Sequence, residues 1–494
     1  MTELIVPSFI RGRLYDQNLV RFGGRGGDAE FLAPDPSAII DMLPLANPGD
    51  LRDLYSITFA EIVDYLVELG TQLNLRTNIF LQEALEQSYA MADQTPPLLR
   101  WQYDQLPQIF QRDFIMEAAE LPIGIRYLEG WVPTKMTDGR LASIRAMGSR
   151  AVHVVAGNSP VLSGITILRN AITRSDAIIK APSNDPLTGL AIARTMHAMA
   201  PNHPLTKHVS VAYWKGGSCE FEGQLYSPRN LEKIVAWGGL ASVKHVRQFI
   251  QPGLELITLD PKRSATVIGP EAFADDGVLQ EVAVRLATDI GAWNQLACCA
   301  ARVVFVASGT DDPGLERLNR LGGLVYRAML DLPAQISTKP KRYDPELRAQ
   351  VGALRTSPDF YRVIGGADGE GAIVVSQTPE PVDFHTSLSG RTANLVPMND
   401  VREAFGFMNA YTQTIGIFPE RLKAALRDAI PLYGAQRLVT LGYANAGSSA
   451  ALPQDAIEPI RRMVRWIVDE TCEIESVPPL WRDPNERMSP MIAA

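Results

Sequence analysis

From residue 150 onward, short apolar runs alternate with longer stretches in which apolar residues recur every three or four positions. Short runs rich in Val, Ile and Ala are typical of buried strands, whereas the longer spacing is typical of helices that pack on one face. Strand, loop and helix therefore repeat, which predicts a parallel sheet with right-handed crossovers. The predicted strands are 150–156, 177–180, 209–214 and 234–237, and the predicted helices are 161–173, 186–199, one around Asn230, and 241–250.

The same alternation continues from Leu256 to Gly442 as a second unit. Its predicted strands include 265–268, 302–306 and 391–396, and residues 355–381 are loop-rich. A helix at 455–470 and a last strand at 472–477 are predicted near the C-terminus. The predicted fold class is therefore α/β, with two parallel-sheet domains. Ligands of such sheets bind at the carboxyl ends of the strands.

The first 149 residues have different patterns. Residues 1–35 are Gly/Pro-rich and are predicted to be irregular, whereas residues 37–119 have a helical pattern that Pro96-Pro97 interrupts. The helical pattern is clearest at 58–69, and it predicts a helical layer that covers a sheet. The extended runs 131–136 and 141–146 flank Asp138-Gly139, a dipeptide typical of hairpin turns. Such a hairpin has exposed edges that a second subunit could cover.

Composition excludes several classes of protein. The 494 residues carry a net charge of −8 and contain no basic cluster, which argues against nucleic-acid binding. Four cysteines, two of them adjacent, do not form a disulfide framework, and the N-terminus lacks the pattern of a signal peptide. No apolar run approaches the ~20 residues that span a bilayer. We therefore expect no membrane span and a cytoplasmic location. The six histidines are scattered, so no metal site is expected.

The candidate chemistry lies where an amphipathic stretch meets the strand 302–306, at Cys298-Cys299. A thiol at such a junction can face a cleft and act as a nucleophile, but free cysteines are also commonly small buried hydrophobes. Gly238-Gly239 precedes a helix and allows a pyrophosphate to approach the helix N-terminus, although Gly-Gly after a strand is more often just a tight turn. Lys180 ends a strand and is either a ribose or phosphate ligand or a solvated surface lysine.

Five stretches together resemble the aldehyde dehydrogenase superfamily, and more narrowly its LuxC-type branch, the long-chain fatty acyl-CoA reductases. They occur in family order from about residue 127 to the C-terminus, whereas the first hundred residues match no pattern. The five stretches are Gly157-Asn-Ser-Pro160, Ile178-Ile-Lys-Ala-Pro-Ser183, Trp237-Gly-Gly239, Asn294-Gln-Leu-Ala-Cys298 and Asn409-Ala-Tyr-Thr-Gln-Thr-Ile-Gly-Ile417.

The resemblance implies a role for each matched residue. Cys298 is the expected nucleophile, which forms an acyl-enzyme from a thioester, and Asn158 and the Cys298 backbone N–H stabilise the oxyanion. The residues expected to bind the cofactor are Lys180, Pro182, Ser183, Trp237, Gly238 and Gly239. The expected cofactor is NADPH, with NADH as the alternative. The expected partners are an acyl-CoA or acyl-carrier-protein thioester and further copies of the chain in a homodimer or homotetramer.

The resemblance also implies a division of the chain. Residues 1–126 are a helical region packed on the cofactor domain, 127–149 an oligomerisation hairpin and 150–257 the NAD(P)-binding domain. Residues 258–442 are the catalytic domain, and 443–494 a C-terminal helix and strand.

Two departures from the superfamily pattern matter. Leu259 stands nearest to the glutamate that activates water in acid-forming relatives, which favours transfer to a thiol over hydrolysis. Glu255 and Asp260 lie close enough in sequence to substitute for that glutamate. Ser183 stands where NAD-preferring relatives carry a glutamate, so a 2′-phosphate is not repelled there.

Alternatives remain open at the sequence level. Counting from Asn294 as in hydrolytic relatives would make Cys299 the nucleophile, although the Ala-Cys pattern favours Cys298. The rival functions are a hydrolytic aldehyde dehydrogenase, an inactive scaffold with this fold, and an acyltransferase that uses Cys298 without nicotinamide.

Overall fold

The computed structural model describes residues 3–24, 29–137, 140–446, 450–471 and 481. Two seven-stranded sheets form the centre of the molecule, and a three-stranded sheet and a two-stranded sheet accompany them. Helices cover both large sheets, so the predicted α/β class with two mainly parallel sheets is confirmed. Across the described ranges, every helix is too short or too polar to cross a bilayer.

The N-terminal residues form short strands, so the prediction of an irregular segment is wrong. The strands are β1 (Ser8–Ile10), β2 (Arg13–Tyr15), β3 (Leu19–Gly23) and β4 (Glu30–Pro34). Strands of three to five residues leave too little alternation to be seen in a sequence. Tertiary pairing creates them, because β1 lies antiparallel to β2 on one side and to a strand of the first large sheet on the other.

The predicted helical layer is confirmed as seven helices. They are α1 (Pro36–Ile39), α2 (Arg52–Tyr55), α3 (Phe59–Gln72), α4 (Ile79–Met91), α5 (Pro96–Asp104), α6 (Arg112–Glu120) and α7 (Ile125–Glu129). A capping box between Thr58 and Glu61 starts α3, which buries Ile62, Leu66 and Leu69 completely. Pro96 and Pro97 stand in the first turn of α5, where their missing N–H groups cost nothing.

The first large sheet has the strand order β11-β10-β7-β8-β9-β1-β2. The strands β7 to β11 are all parallel to their neighbours among themselves. The new elements are β7 (Arg150–Val154), α8 (Val161–Ile172), β8 (Asp176–Lys180), α9 (Thr188–Met199), α10 (Pro204–Lys207), β9 (Val209–Ala212), α11 (Cys219–Leu225), β10 (Lys233–Trp237), α12 (Leu240–Arg247) and β11 (Glu255–Leu259).

Two predicted positions in this sheet need correction. The helix expected around Asn230 is α11, which ends at Leu225; the Asn230 N–H instead closes a turn on the Ser227 carbonyl at 2.9 Å. The second unit was expected to start at Leu256, but β11 runs on to Leu259 and pairs with β10. An apolar run cannot by itself indicate which of two neighbouring sheets a strand joins.

The second large sheet has the order β14-β15-β16-β13-β12-β17-β18, and every pairing in it except that of β14 with β15 is parallel. The stretch 355–381, predicted to be loop-rich, contains two of these strands. The elements are β12 (Arg263–Ile268), α13 (Asp276–Gly291), β13 (Ala301–Val306), α14 (Asp312–Leu330), α15 (Pro345–Leu354), β14 (Tyr361–Gly365), β15 (Ala372–Ser376), β16 (Ala393–Pro397), β17 (Thr412–Phe418), α16 (Glu420–Leu426) and β18 (Arg437–Thr440).

The predicted hairpin is confirmed, and a C-terminal strand joins it. β5 (Val132–Lys135) pairs with β6 (Leu141–Met147), and β19 (Arg465–Thr471) pairs with the other edge of β6. The helix predicted at 455–470 is therefore wrong beyond α17 (Pro459–Met463), because pairing with β6 outweighs the local helical pattern. The hairpin's Asp138-Gly139 and the predicted strand 472–477 lie outside the described residues.

Candidate active site at the cysteine loop

The loop that carries the two cysteines begins with an unusual backbone. After α13, Trp293, Asn294 and Gln295 have φ values of 53°, 52° and 62°, in the left-handed region that non-glycine residues rarely adopt. Each such residue costs on the order of 1–3 kcal/mol and persists only where its surroundings fix it. The strain shows that the loop path between α13 and β13 is imposed by tertiary contacts.

Buried amide side chains fix this path. Gln295 Nε2 donates to the carbonyls of Ala301 at 2.7 Å and Thr392 at 2.9 Å, and its Oε1 accepts from the Thr392 N–H at 2.9 Å. The Asn294 side chain accepts from the Thr338 N–H at 2.8 Å. Since both amides are 2% exposed, they have no water to replace these partners. These two residues thus hold the loop that presents Cys298.

The backbone of Cys298 is also anchored. Ser264 Oγ, at the start of β12, donates to the Cys298 carbonyl at 2.8 Å, and one Arg302 nitrogen donates to the same carbonyl at 3.4 Å. Arg302 also donates to the Ala300 carbonyl at 2.9 Å and to the Leu388 carbonyl at 3.0 Å. Because these three acceptors are uncharged carbonyls, the Arg302 guanidinium keeps its positive charge beside the loop.

The two sulfurs have different surroundings. Burial raises the pKa of the Cys298 thiol, while hydrogen bonding from the Gln413 side chain and the charge of Arg302 lower it. Burial raises the pKa of Cys299 to about 12, and its Sγ donates to Asn445 Oδ1 at 3.3 Å. A thiol that donates to an amide oxygen is held in its neutral form. These surroundings favour Cys298 as the nucleophile.

The Asn158 loop reaches the cysteine loop. Asn158 follows β7, and its Nδ2 lies 3.3 Å from the carbonyl of Leu296, two residues before Cys298. Its backbone carbonyl accepts from Gln94 Nε2 at 2.6 Å. Two residues that are 140 positions apart in the sequence are thus brought to one site, with a side-chain N–H donor beside the candidate nucleophile.

The residues expected to bind the cofactor lie at the same edge of the first sheet. β10, β7 and β8 are neighbours, so the loops after Trp237, Val154 and Lys180 emerge side by side. The Lys180 ammonium lies 5.6 Å from the centroid of the Trp214 ring, and burial lowers its pKa. Pro182 and Ser183 are partly exposed beyond it. Trp237 is 9% exposed, and the Arg169 guanidinium lies 5.2 Å from the centroid of its ring.

Gly238 and Gly239 leave room in front of a helix. Among the described residues, no heavy atom lies within 4 Å of a Cβ built at Gly239, and no side chain caps α12 there. The first N–H groups of α12 are therefore available to an anion. Leu240 also lines a cavity of about 450 Å³ that reaches Ser264 and Arg302. The cavity therefore lies between the start of α12 and two residues, Ser264 and Arg302, that bond the Cys298 carbonyl.

The two candidate bases have different positions. Glu255 begins β11, at the sheet edge opposite to the site, and it pairs with Lys233 and with Arg462 at 2.7 Å. Five residues of strand span roughly 16 Å, so Glu255 stands at the opposite end of β11 from Asp260. Asp260 directly follows β11, at the carboxyl end of the strand. Its backbone N–H donates a hydrogen bond to Asp455. The structure therefore removes Glu255 from consideration.

A segment that sequence reasoning left unassigned contacts three of these loops. Around the start of α5, Gln94 bonds the Asn158 carbonyl, Thr95 Oγ1 lies 2.6 Å from Thr338 Oγ1, and Trp101 packs on Trp293 with ring centroids 4.7 Å apart. The Pro96-Pro97 signal marked a helix boundary but did not indicate contact with the cysteine loop. Nothing in the local pattern identifies these partners, because they are distant in sequence.

Within the described residues, no group of His, Cys, Asp or Glu side chains is arranged to hold a metal ion.

The first testable prediction concerns pH. Because the pKa of Cys298 lies above its ordinary value, its thiolate fraction should rise about tenfold per pH unit over the neutral range. We expect iodoacetamide labelling of Cys298 to accelerate from about pH 6 to about pH 10, while Cys299 stays unlabelled because its pKa is about 12. Mass spectrometry of the labelled peptide measures this. Faster labelling of Cys299 would contradict the assignment.

Comparison with known proteins identifies the family. The model of the acyl-CoA reductase (LuxC) family matches residues 56–466. The chain belongs to this family. It is 28% identical over 325 residues to a long-chain acyl-protein thioester reductase of Vibrio harveyi, a match that covers 65% of this chain and 64% of the relative. It is 23% identical over 443 residues to long-chain acyl-protein thioester reductase 2 of Photobacterium leiognathi, covering 87% of each chain.

Solved structures place the LuxC-family chain in the aldehyde dehydrogenase fold. Lactaldehyde dehydrogenase from Escherichia coli superposes with a TM-score of 0.68 at 13% identity, over 95% of this chain and 100% of the other. The NADP complex of a glyceraldehyde-3-phosphate dehydrogenase from Bacillus halodurans superposes with a TM-score of 0.70 at 13% identity, over 95% and 99%. The predicted family and fold are therefore confirmed, and at this level of identity the solved structures show the fold alone.

Proposed function

We propose that this protein is an NADPH-dependent reductase that converts an acyl thioester to an aldehyde through an acyl-enzyme on Cys298. The observation that carries the proposal is the approach of Asn158 Nδ2 to the carbonyl of Leu296, at 3.3 Å, which sets an amide donor beside the nucleophile loop. The names of the Vibrio and Photobacterium relatives, both thioester reductases, agree with this chemistry.

The chemistry starts at the sulfur. The Cys298 thiolate adds to the thioester carbonyl, and the oxyanion that forms accepts hydrogen bonds from Asn158 Nδ2 and the Cys298 N–H. Collapse of this adduct breaks the bond to the donor thiol, which leaves as a thiolate and takes a proton from solvent. The acyl group is then held as a thioester on Cys298. Its carbonyl oxygen remains within reach of the same two donors.

The residues at the sheet edge fit a nicotinamide dinucleotide. The open space at Gly239 and the uncapped α12 suit a pyrophosphate, and Lys180 stands at the end of β8 to meet a ribose or its phosphate. When bound, the reduced cofactor supplies the hydride that the acyl carbon accepts. The Asn158 amide holds the resulting oxyanion until the carbonyl re-forms, the C–S bond breaks, and the aldehyde and the Cys298 thiolate separate.

The absence of a carboxylate at residue 259 favours reduction over hydrolysis. Leu259 is 4% exposed and packs with Val235 and Ile257 in an apolar cluster. An apolar side chain cannot take a proton from water, so the acyl-enzyme at Cys298 would be attacked by water only slowly. A long-lived acyl-enzyme is what a hydride-transfer step requires.

The direct test is a panel of acyl-CoA and acyl-carrier-protein thioesters, with NADPH consumption followed by absorbance and the aldehyde trapped as a hydrazone. The proposal predicts one aldehyde for each NADPH consumed. A second arm supplies aldehyde and NADP⁺ with and without coenzyme A. Acid formation without added thiol would support a hydrolytic dehydrogenase and overturn the proposal.

Cofactor choice gives a second prediction. Replacing Ser183 with Glu should lower kcat/KM for NADPH relative to NADH by at least about tenfold, because a carboxylate repels the 2′-phosphate and accepts from a free 2′-OH. Ser183→Ala is the matched control, since it changes the side chain without adding charge. If the ratio of the two kcat/KM values did not change in Ser183→Glu, Ser183 would not lie beside the cofactor ribose.

The oligomer is proposed to be a homodimer or homotetramer that uses the three-stranded sheet. β5 and β19 are its free edges in the described chain, and the sheet exposes the apolar side chains of Leu141 (54%) and Val468 (53%). Val468 stands on the edge strand β19 and Leu141 on the central strand β6, so a second subunit would cover both a free edge and an apolar face of the sheet. The Leu141→Lys variant should shift towards the monomer if the three-stranded sheet forms the subunit interface. Light scattering measures this shift.

A further inference from the structure

A segment of the N-terminal helical region, the brace, holds the loop that carries Asn158. The brace is residues 93–102, which connect α4 to α5 and include most of α5. Gln94 Nε2 donates to the Asn158 carbonyl at 2.6 Å, and Gln102 Oε1 accepts from Ser159 Oγ at 2.8 Å. Two successive residues of the loop are therefore each bonded to a different side chain of the brace.

The residue before Asn158 is held through a third amide. Asn184 Nδ2 donates to the Gly157 carbonyl at 3.0 Å and to Asp93 Oδ2, at the start of the brace, at 2.8 Å. A Cβ built at Gly157 would lie 1.8 Å from Asn184 Oδ1, so only glycine allows this close approach. The backbone is thus held at Asn158 itself and at the residues on both sides of it.

The brace also contacts the cysteine loop. The Trp101 ring packs on the Trp293 ring with centroids 4.7 Å apart. Thr95 Oγ1 lies 2.6 Å from Thr338 Oγ1, which accepts from Asn294 Nδ2 at 3.1 Å. Trp293 and Asn294 belong to the stretch with left-handed backbone that precedes the two cysteines. One segment therefore contacts both loops of the candidate site.

The brace is buried and conformationally restricted. Gln94 and Gln102 are 2% and 4% exposed, so water does not compete for their bonds to the loop. Pro96 and Pro97 stand in the first turn of α5, where each pyrrolidine ring fixes φ. A segment of this kind can hold the Asn158 backbone in one place.

The position of that backbone matters for the chemistry. A hydrogen-bond donor stabilises an oxyanion well only if it is in place before the charge develops. A displacement of about 1 Å can cost about 10²-fold in rate. The Asn158 side chain is short, so the position of its backbone decides where its amide lies. The Cys298 carbonyl, by contrast, is held by Ser264 and Arg302, which do not belong to the brace.

We propose that Gln94 is a positioning residue, which fixes the side-chain amide of Asn158 by holding the Asn158 carbonyl. The inference rests on the proposed function, in which Asn158 donates to the oxyanion. It gives the N-terminal helical region, for which the sequence indicated only a covering layer, a part in the reaction.

The experiment measures acylation of Cys298 by an acyl-CoA without cofactor, followed by rapid quenching and intact-mass spectrometry. Gln94→Met keeps the length of the side chain and removes the donor. The maximal acylation rate should therefore fall about tenfold, while the half-saturating acyl-CoA concentration changes by less than about twofold. Iodoacetamide labelling of Cys298 should stay within about twofold of the parent, because it forms no oxyanion. A maximal acylation rate within about twofold of the parent overturns the proposal.

Gln82→Met is the matched control. Gln82 stands on α4, and its Nε2 donates to the Leu75 carbonyl, in the connection between α3 and α4, at 2.9 Å. This variant also removes a bond from a glutamine to a backbone carbonyl of the helical region, but it should acylate at the parent rate. Thermal unfolding verifies that each variant is folded.

A double-mutant cycle distinguishes positioning from general support of the fold. If Gln94 acts through Asn158, adding Gln94→Met to Asn158→Ala should slow acylation by less than about twofold further. A further fall of about tenfold would mean that Gln94 acts independently of Asn158, which overturns this inference alone. A parent that forms no acyl-enzyme, or an Asn158→Ala variant that acylates at the parent rate, would contradict the proposed function and this inference together.

Discussion

Replacing Cys298 with alanine is expected to reduce aldehyde formation by at least about 10⁴-fold, because no acyl-enzyme can form without the sulfur. The same variant should still bind the cofactor, because Lys180 and Gly239 stand at the ends of strands of the first large sheet. Cys298 precedes β13 of the second large sheet. The measurement is aldehyde production from an acyl-CoA and NADPH. Intact-mass spectrometry of the parent with acyl-CoA alone should show the acyl group, and peptide mapping should locate it on Cys298.

Cys299→Ala is the matched control, one residue away. It loses the bond from the thiol to Asn445, which costs about 1 kcal/mol of stability at most, and its rate should stay within about threefold of the parent. Its pKa of about 12 means that hardly any of this thiol is ionised at neutral pH. Full activity in Cys298→Ala, with loss of activity in Cys299→Ala, would reverse the assignment and favour the alternative alignment on Asn294.

Local pattern predicted the fold well where periodicity was long and uniform. The strands β7, β8 and β10 and the helices between them follow the alternation in the sequence closely, because buried parallel strands and the helices that cover them leave strong apolar signals. It failed where a partner outside the segment decides the conformation. Residues 465–471 form β19 instead of a helix because β6 is there to pair with, and β1 exists because β9 lies beside it.

The residues of the candidate site also fall into two groups, those that a local sequence pattern indicates and those whose contacts are distant in sequence. Asn158 and the glycine turn stand on loops after strands, Cys298 stands on the loop between α13 and β13, and all three carry recognisable local sequences. Gln413 lay within a recognised stretch, but its side-chain partner, Asp455, stands 42 residues further along. Gln94 and Trp101 likewise act through residues far away in sequence. A single sequence contains no signal for such contacts.

Two features of the Cys298 loop cost free energy. Burial at the Cys298 loop opposes the thiolate, and the loop itself stores backbone strain at Trp293, Asn294 and Gln295. The buried amides of Asn294 and Gln295 hold the path of the loop against this strain.

Replacing Asn158 with alanine is the second large prediction. Removal of one oxyanion donor typically lowers kcat by about 10²–10³-fold, or about 2.7–4 kcal/mol, and we expect a loss in this range with KM little changed. The reason is that the proposed role of Asn158 Nδ2 is to donate to the oxyanion of the acyl adduct, whereas the bound thioester carbonyl carries little charge. Steady-state rates with a saturating acyl-CoA measure the effect.

Labelling separates this role from simple support of the loop. Asn158 Nδ2 also bonds the Leu296 carbonyl at 3.3 Å, so its loss could in principle displace Cys298. Iodoacetamide reacts with the thiolate without forming an oxyanion, and its rate at Cys298 should therefore stay within about twofold of the parent in Asn158→Ala. If labelling and aldehyde formation fell by the same factor, Asn158 would act by positioning the nucleophile. A fall in aldehyde formation alone identifies it as the oxyanion donor.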